Sequence, residues 1–125
     1  MDQSVLIVDD EPNIILSLRF LMKAEGYRVR VAQDGSEAIA AVQQEAPDLV
    51  LLDVMLPGRD GYQICEELRR MPACANTRII MLTARGRPVD AEKGLATGAD
   101  DYVSKPFSTR DLLRRVRDLL PVAAA

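Results

Sequence analysis

Three runs of aliphatic residues in this chain stop at side chains that can do chemistry. Asp9 and Asp10 follow Val5-Leu6-Ile7-Val8, Asp53 follows Leu49-Val50-Leu51-Leu52, and Thr83 follows Ile79-Ile80-Met81-Leu82. Lys105 follows a fourth, less apolar segment, Asp101-Tyr102-Val103-Ser104. Taken singly, an aspartate after a strand is most often a turn former or a helix cap. Taken together, three acids, one base and one hydroxyl make a different case. Carboxylates about 4 Å apart at an effective dielectric near 20 repel by about 4 kcal/mol, so such a cluster needs a cation. Oxygen ligands without sulfur or imidazole suit Mg²⁺, which takes one or two carboxylates and completes its shell with water and phosphate oxygens. A carboxylate can itself attack phosphorus and form an aspartyl phosphate. Asp53 is the best placed to do so, with Asp10 beside it to share the metal, Lys105 opposite to bind phosphoryl oxygens and Thr83 as hydroxyl donor. Positioning and charge neutralisation carry this chemistry, and no general base is required.

That convergence depends on the elements behind it. The three aliphatic runs read as central strands buried on both faces. Arg28-Val29-Arg30-Val31-Ala32 alternates polar with apolar, and the Asp101–Ser104 segment has a single aliphatic residue, so both suit sheet edges. Between the strands the spacing turns helical. Pro12 precedes Ile14, Ile15, Leu18, Leu21 and Met22; Ser36 precedes Ala38, Ile39 and Val42; Gly61 precedes Ile64, Cys65 and Leu68. A weaker pattern covers 89–95 and ends near Gly98. Ser108 with Asp111 is a capping-box signal before Leu112, Leu113, Val116, Leu119 and Leu120. The alternation is (βα)₅. Right-handed crossovers then give a doubly wound, flavodoxin-like α/β fold with a parallel five-stranded sheet in the order 2-1-3-4-5. Its ligand crevice lies at the carboxyl ends of strands 1 and 3. Gly58 and Gly61 bracket a turn at that end, where positive φ is expected as scaffolding.

Composition removes many alternatives. The 125 residues contain no histidine, which excludes Ser-His and Cys-His catalysis and most transition-metal sites. Cys65 and Cys74 lack C-x-x-C spacing and read as reduced thiols. A net charge of −3 gives no reason to expect nucleic acid, and no apolar run reaches membrane length. The amino terminus has none of the parts of a secretory signal, so the cytoplasm is the expected compartment. No glycine-rich loop follows Val8, which argues against a flavin or dinucleotide site. Residues 1–120 are expected to form one domain, with 121–125 a short tail and no effector domain.

Four stretches in order resemble the receiver domain of two-component response regulators: Val8-Asp9-Asp10-Glu11-Pro12, Leu52-Asp53-Val54-Met55-Leu56-Pro57-Gly58, Leu82-Thr83-Ala84, and Gly98-Ala99-Asp100-Asp101-Tyr102-Val103-Ser104-Lys105-Pro106-Phe107. The resemblance implies a signalling switch that catalyses only its own phosphotransfer and dephosphorylation. Asp53 would accept a phosphoryl group from a phosphohistidine on a sensor histidine kinase or a histidine phosphotransfer protein. Asp10, Asp53 and the Met55 backbone carbonyl would bind Mg²⁺, and Asp9 would act largely through metal-bound water. Thr83 would move toward the phosphoryl group with Ala84 leaving room, and Tyr102 would turn inward. The change would be read on the surface of the fourth helix, fifth strand and fifth helix.

The same resemblance implies a cis Lys105–Pro106 peptide and makes Met55 and Arg85 the positions that tune hydrolysis. It leaves a homodimer open, through charges on that surface: Asp100, Asp101, Asp111, Arg115 and Arg117 match part of the set, whereas Ala91 and Ala96 stand where charged partners are common. Two rivals are weaker. A receiver-like module without phosphorylation would have lost acids or the lysine, and this chain keeps them. A carboxylate-nucleophile phosphatase would carry a second aspartate where Met55 stands.

Overall fold

The computed structural model describes residues 3–58, 60–83 and 98–120. Its strands are β1 (Ser4–Val8), β2 (Arg28–Ala32), β3 (Leu49–Asp53), β4 (Arg78–Thr83) and β5 (Asp101–Ser104). All pairings are parallel and the order is β2-β1-β3-β4-β5. The helices are α1 (Pro12–Ala24), α2 (Gly35–Gln44), α3 (Gly61–Arg70) and a C-terminal helix (Thr109–Leu119), with a 3₁₀ turn at Pro72–Cys74. The helix expected over 89–95 lies outside the described residues, as does the tail 121–125.

Burial on both faces explains the aliphatic runs. Alternate residues of β1, β3 and β4 point to opposite sides of the sheet. Leu6, Val8, Val50, Leu52, Ile79 and Met81 pack on one side with Ala38 and Val42 of α2 and Ile64, Cys65 and Leu68 of α3. Val5, Ile7, Leu49, Leu51, Ile80 and Leu82 pack on the other with Leu18 and Met22 of α1 and Leu112 and Val116 of the C-terminal helix. A strand with helices on both sides has no polar face, so its sequence loses the alternation that β2 retains.

The helix starts follow side-chain chemistry. Asp34 accepts a hydrogen bond from the Glu37 amide at 2.8 Å and Asp60 from the Gln63 amide at 2.8 Å, each capping its helix. Helix α2 therefore begins at Gly35, one residue before the Ser36 that precedes its apolar positions. Ser108 caps the C-terminal helix through the Asp111 amide, as the capping-box signal requires. Pro12 opens α1 with no side-chain cap from Glu11.

Candidate functional site

The sheet brings the strand ends together. Asp9, directly after β1, is fully buried and donates its amide to the Ala32 carbonyl at 3.1 Å. Its Oδ1 accepts from the Glu11 amide at 3.0 Å, and its Oδ2 accepts from Lys105 Nζ at 3.0 Å. Asp10 is exposed. Asp53 is the last residue of β3 and is buried, with Oδ1 accepting from the Met55 amide at 3.1 Å and lying 3.5 Å from Lys105 Nζ. One carboxylate oxygen from each of Asp9, Asp10 and Asp53 falls within 4.8 Å of the others.

Electrostatics follow from that crowding. Carboxylates at such a distance repel by about 3 kcal/mol at an effective dielectric near 20, and Lys105 supplies one positive charge against three. Burial pushes the Asp53 carboxyl above the ordinary aspartate value and the charge of Asp9 adds to the rise, while the Met55 amide and Lys105 act against it. Burial alone would lower Lys105, but its hydrogen bond to Asp9 and the charges of Asp53 and Asp9 carry it above its usual value. A hard divalent cation fits this donor set: carboxylate oxygens only, an excess of negative charge, and one member, Asp10, open to water.

The neighbouring residues take distinct places. Thr83 ends β4 and is buried, and its carbonyl accepts the Lys105 amide at 2.8 Å, which fixes the lysine beside it. Met55 is 66% exposed at the mouth. Tyr102 faces outward at 36% exposure, with Arg115 Nη1 donating to its backbone carbonyl at 3.4 Å. The Lys105–Pro106 peptide is cis, as expected. Ala84 and Arg85 lie outside the described residues.

The two glycines differ from expectation in an instructive way. Gly58 has φ of +80°, but Gly61 has no positive φ. A Cβ at Gly61 would stand 2.5 Å from the Asp53 carbonyl oxygen and 2.8 Å from the Val54 Cα, so this position needs glycine for space. Its amide also donates to the Val54 carbonyl at 2.8 Å, holding the start of α3 against the end of β3.

The charged set matched to a dimer surface is engaged inside the chain. Arg69 donates to the carbonyls of Gly98, Cys74 and Thr77 and to Asp100 Oδ2, and Asp100 also accepts from the Ile79 amide. Asp100 thus anchors the entry to β5 at the sheet end opposite the acids. Arg115 bridges Asp101 at 2.7 Å and Asp111 at 3.0 Å, and Arg117 holds Glu25, at the C-terminal cap of α1, through two hydrogen bonds. Sequence reading missed the Arg69 anchor because its partners at Gly98 and Asp100 lie 29 and 31 residues away and no local spacing marks them.

Comparison with known proteins agrees with this geometry. The family model described as response regulator receiver domain matches residues 5–117. A Chloroflexus aurantiacus protein described as a response regulator is 38% identical, with 96% of this chain and 98% of that one covered and a TM-score of 0.92. The chemotaxis response regulator CheY4 of Vibrio cholerae is 31% identical, with 95% and 99% covered and a TM-score of 0.89. The receiver domain of DrrB, in a BeF3-activated structure, is 35% identical, with 96% and 98% covered and a TM-score of 0.87.

The fold and its acidic pocket define a signalling domain of the two-component type, rather than an enzyme that turns over an external substrate. The chain belongs to the response regulator receiver domain family. Its function is that of a phosphorylation-dependent switch, and the phosphoryl donor such a domain implies is a histidine kinase. Among the described residues no helix is long and apolar enough to cross a membrane.

Proposed function

We propose that Asp53 is the phosphoryl acceptor of this switch, in a Mg²⁺-dependent transfer from a sensor histidine kinase or a histidine phosphotransfer protein. The observation that carries this reading is the convergence of Asp53 with Lys105 at 3.5 Å and with two further carboxylates at one sheet end. Among the three acids, Asp9 is buried with both oxygens engaged, and Asp10 is exposed beyond the strand. On Asp53, by contrast, the contacts from Met55 and Lys105 both fall on Oδ1. As its carboxylate oxygen bonds to phosphorus, the phosphorus–nitrogen bond of phosphohistidine breaks and the imidazole keeps the electron pair.

Asp10, Asp53 and the Met55 carbonyl would hold Mg²⁺, with Asp9 acting through metal-bound water. The ion supplies charge neutralisation at the phosphoryl oxygens when bound. Lys105, already lying between Asp9 and Asp53, donates to the transferred group, and Thr83 supplies its hydroxyl. With Ala84 giving room, Thr83 moves inward and Tyr102 follows from its outward position. This reshapes the surface of β5, the C-terminal helix and the segment between Thr83 and Gly98. A homodimer on that surface would have to exchange the internal pairs of Asp101, Asp111, Arg115 and Arg117 for pairs between copies. The receiver unit would be residues 1–120, followed by 121–125, working in the cytoplasm without direct nucleic-acid contact.

Beryllofluoride, a phosphoryl mimic, tests this reading. Amide exchange at Thr83 and Tyr102 should change when Mg²⁺ and beryllofluoride are both present and with neither alone. No Mg²⁺-dependent response would reduce the chain to an interaction module.

The lifetime of the phosphoryl state forms part of the proposal. Met55 and Arg85 are the tuning positions. The Met55 thioether offers no hydrogen bond able to orient an attacking water, so the phosphoryl group should be comparatively long-lived. Met55→Asn should shorten its half-life several-fold in a decay assay; an unchanged or longer half-life would refute the role of this position.

A further inference from the structure

Strand β5 lies at the edge of the sheet and pairs only with β4, in a register that runs from Ile80 beside Asp101 to Thr83 beside Ser104. Of its four residues Val103 alone is buried. A single apolar side chain discriminates poorly between this register and one displaced by two residues, which turns the same face inward. Such a displacement moves the strand by about 7 Å. Lys105 comes next in the chain, with its ammonium 3.0 Å from Asp9 and 3.5 Å from Asp53. A slip of that size takes it out of reach of both carboxylates.

The groups that set the register stand at the far end of the strand. Asp100, immediately before β5, donates its amide to the Ile79 carbonyl at 2.8 Å and accepts the Ile79 amide on Oδ2 at 2.8 Å. This two-point bond ties Asp100 to one residue of β4 and no other. Arg69, in the last turn of α3, holds the same Oδ2 at 2.7 Å. Its Nε donates to the Gly98 carbonyl at 2.8 Å, and its Nη1 donates to the carbonyls of Cys74 and Thr77. The guanidinium fork thus joins the chain on both sides of Ala99 to the turn that leads into β4. The two side chains are only 23% and 21% exposed, so their charge-assisted bonds are little screened.

We infer that Arg69 and Asp100 are positioning residues for the phosphoryl transfer: by fixing the register of β5 they hold Lys105 at the acceptor, from the opposite end of the sheet. The inference rests on Asp53 being the acceptor and on Lys105 binding the phosphoryl oxygens. The residues assigned to the metal stand on other elements, Asp10 after β1 and Asp53 and Met55 at the end of β3. The clamp therefore acts on the lysine and leaves the metal ligands in place.

The test measures labelling by phosphoramidate, a small phosphoryl donor, at saturating Mg²⁺ under conditions where urea unfolding shows each variant to be folded. Asp100→Ala and Arg69→Met should each slow labelling at least fivefold, while the Mg²⁺ dissociation constant from calorimetry stays within twofold. Arg69→Lys, which keeps a donor for Asp100, should retain more of the rate than Arg69→Met. The Lys105 amide, which donates to the Thr83 carbonyl, should exchange faster in Asp100→Ala. In a Lys105→Met background, itself slowed, adding Asp100→Ala should change the rate less than twofold, because the group it positions is gone. A full further loss in that background overturns the inference and leaves Arg69 and Asp100 a general staple of the fold. So does an unchanged rate in both single variants, or a Mg²⁺ affinity that falls in step with the rate. Should Asp100→Ala not fold, the Arg69 variants carry the same comparison. Failure of phosphoramidate to label Asp53 in the unsubstituted chain would instead overturn the acceptor assignment, and a full rate in Lys105→Met the role of the lysine.

Discussion

Asp53→Asn should abolish phosphorylation by protein and small-molecule donors alike, and in metal-free buffer at pH 7 it should make the protein more stable. The first effect is the loss of the nucleophile, since an amide oxygen does not form the acyl phosphate. The second follows from the site's charge. The folded protein holds Asp53 protonated more readily than the unfolded chain does, because burial and Asp9 raise its carboxyl above the ordinary value. Ionising it therefore costs folding energy. That cost is complete above the raised value and disappears as pH falls to the unfolded value, about pH 4. The stability advantage of Asn should be largest at neutral pH and shrink on acidification. Mg²⁺ should reverse the order by stabilising the aspartate form more. Urea unfolding at several pH values, with and without Mg²⁺, measures all three. Equal stability of the two forms at pH 7 without metal would show that the carboxylates are not in electrostatic conflict.

Gly61→Ala should destabilise the domain by about 3 kcal/mol or more, the upper end of the cost of forcing a methyl into filled space. The atoms it would meet, the Asp53 carbonyl oxygen and the Val54 Cα, belong to the main chain. Neither can swing aside as a flexible side chain could. Relief would have to come from displacing the end of β3 that carries Asp53, so labelling by phosphoramidate should slow as well. Gly58→Ala offers the control. Its Cβ would meet nothing within 4 Å, and the cost is confined to the left-handed backbone at φ of +80°, about 1 kcal/mol. Equal unfolding midpoints for the two variants would mean that crowding at Gly61 is relieved without cost.

These two glycines show where sequence reading stops. Gly58 lies in the loop after β3 and Gly61 opens α3, both look like turn residues in sequence, and only the packed structure separates one that needs a backbone angle from one that needs room. Asp100 makes the same point. Beside Asp101 in sequence it resembles another surface charge, yet the fold turns it onto Arg69 and the Ile79 amide. Lys105 was legible as a base at a strand end, but its nearer partner is Asp9 at 3.0 Å, with Asp53 at 3.5 Å. The placement of Asp53 itself needed only the sequence: an aliphatic run of strand length, bounded by a polar residue, marks where a buried strand reaches solvent.

What the sequence by itself determined, then, was the set of strands, their central or edge positions, and the polar residues delivered to one end of the sheet. Those features depend on local hydrophobic periodicity, which burial imposes on neighbouring residues. Only the tertiary structure decided which charges pair and which glycine has no space for a methyl. Such contacts join residues up to 96 positions apart across the Lys105–Asp9 pair. They depend on sheet register and helix packing, neither of which leaves a repeating signature along the chain.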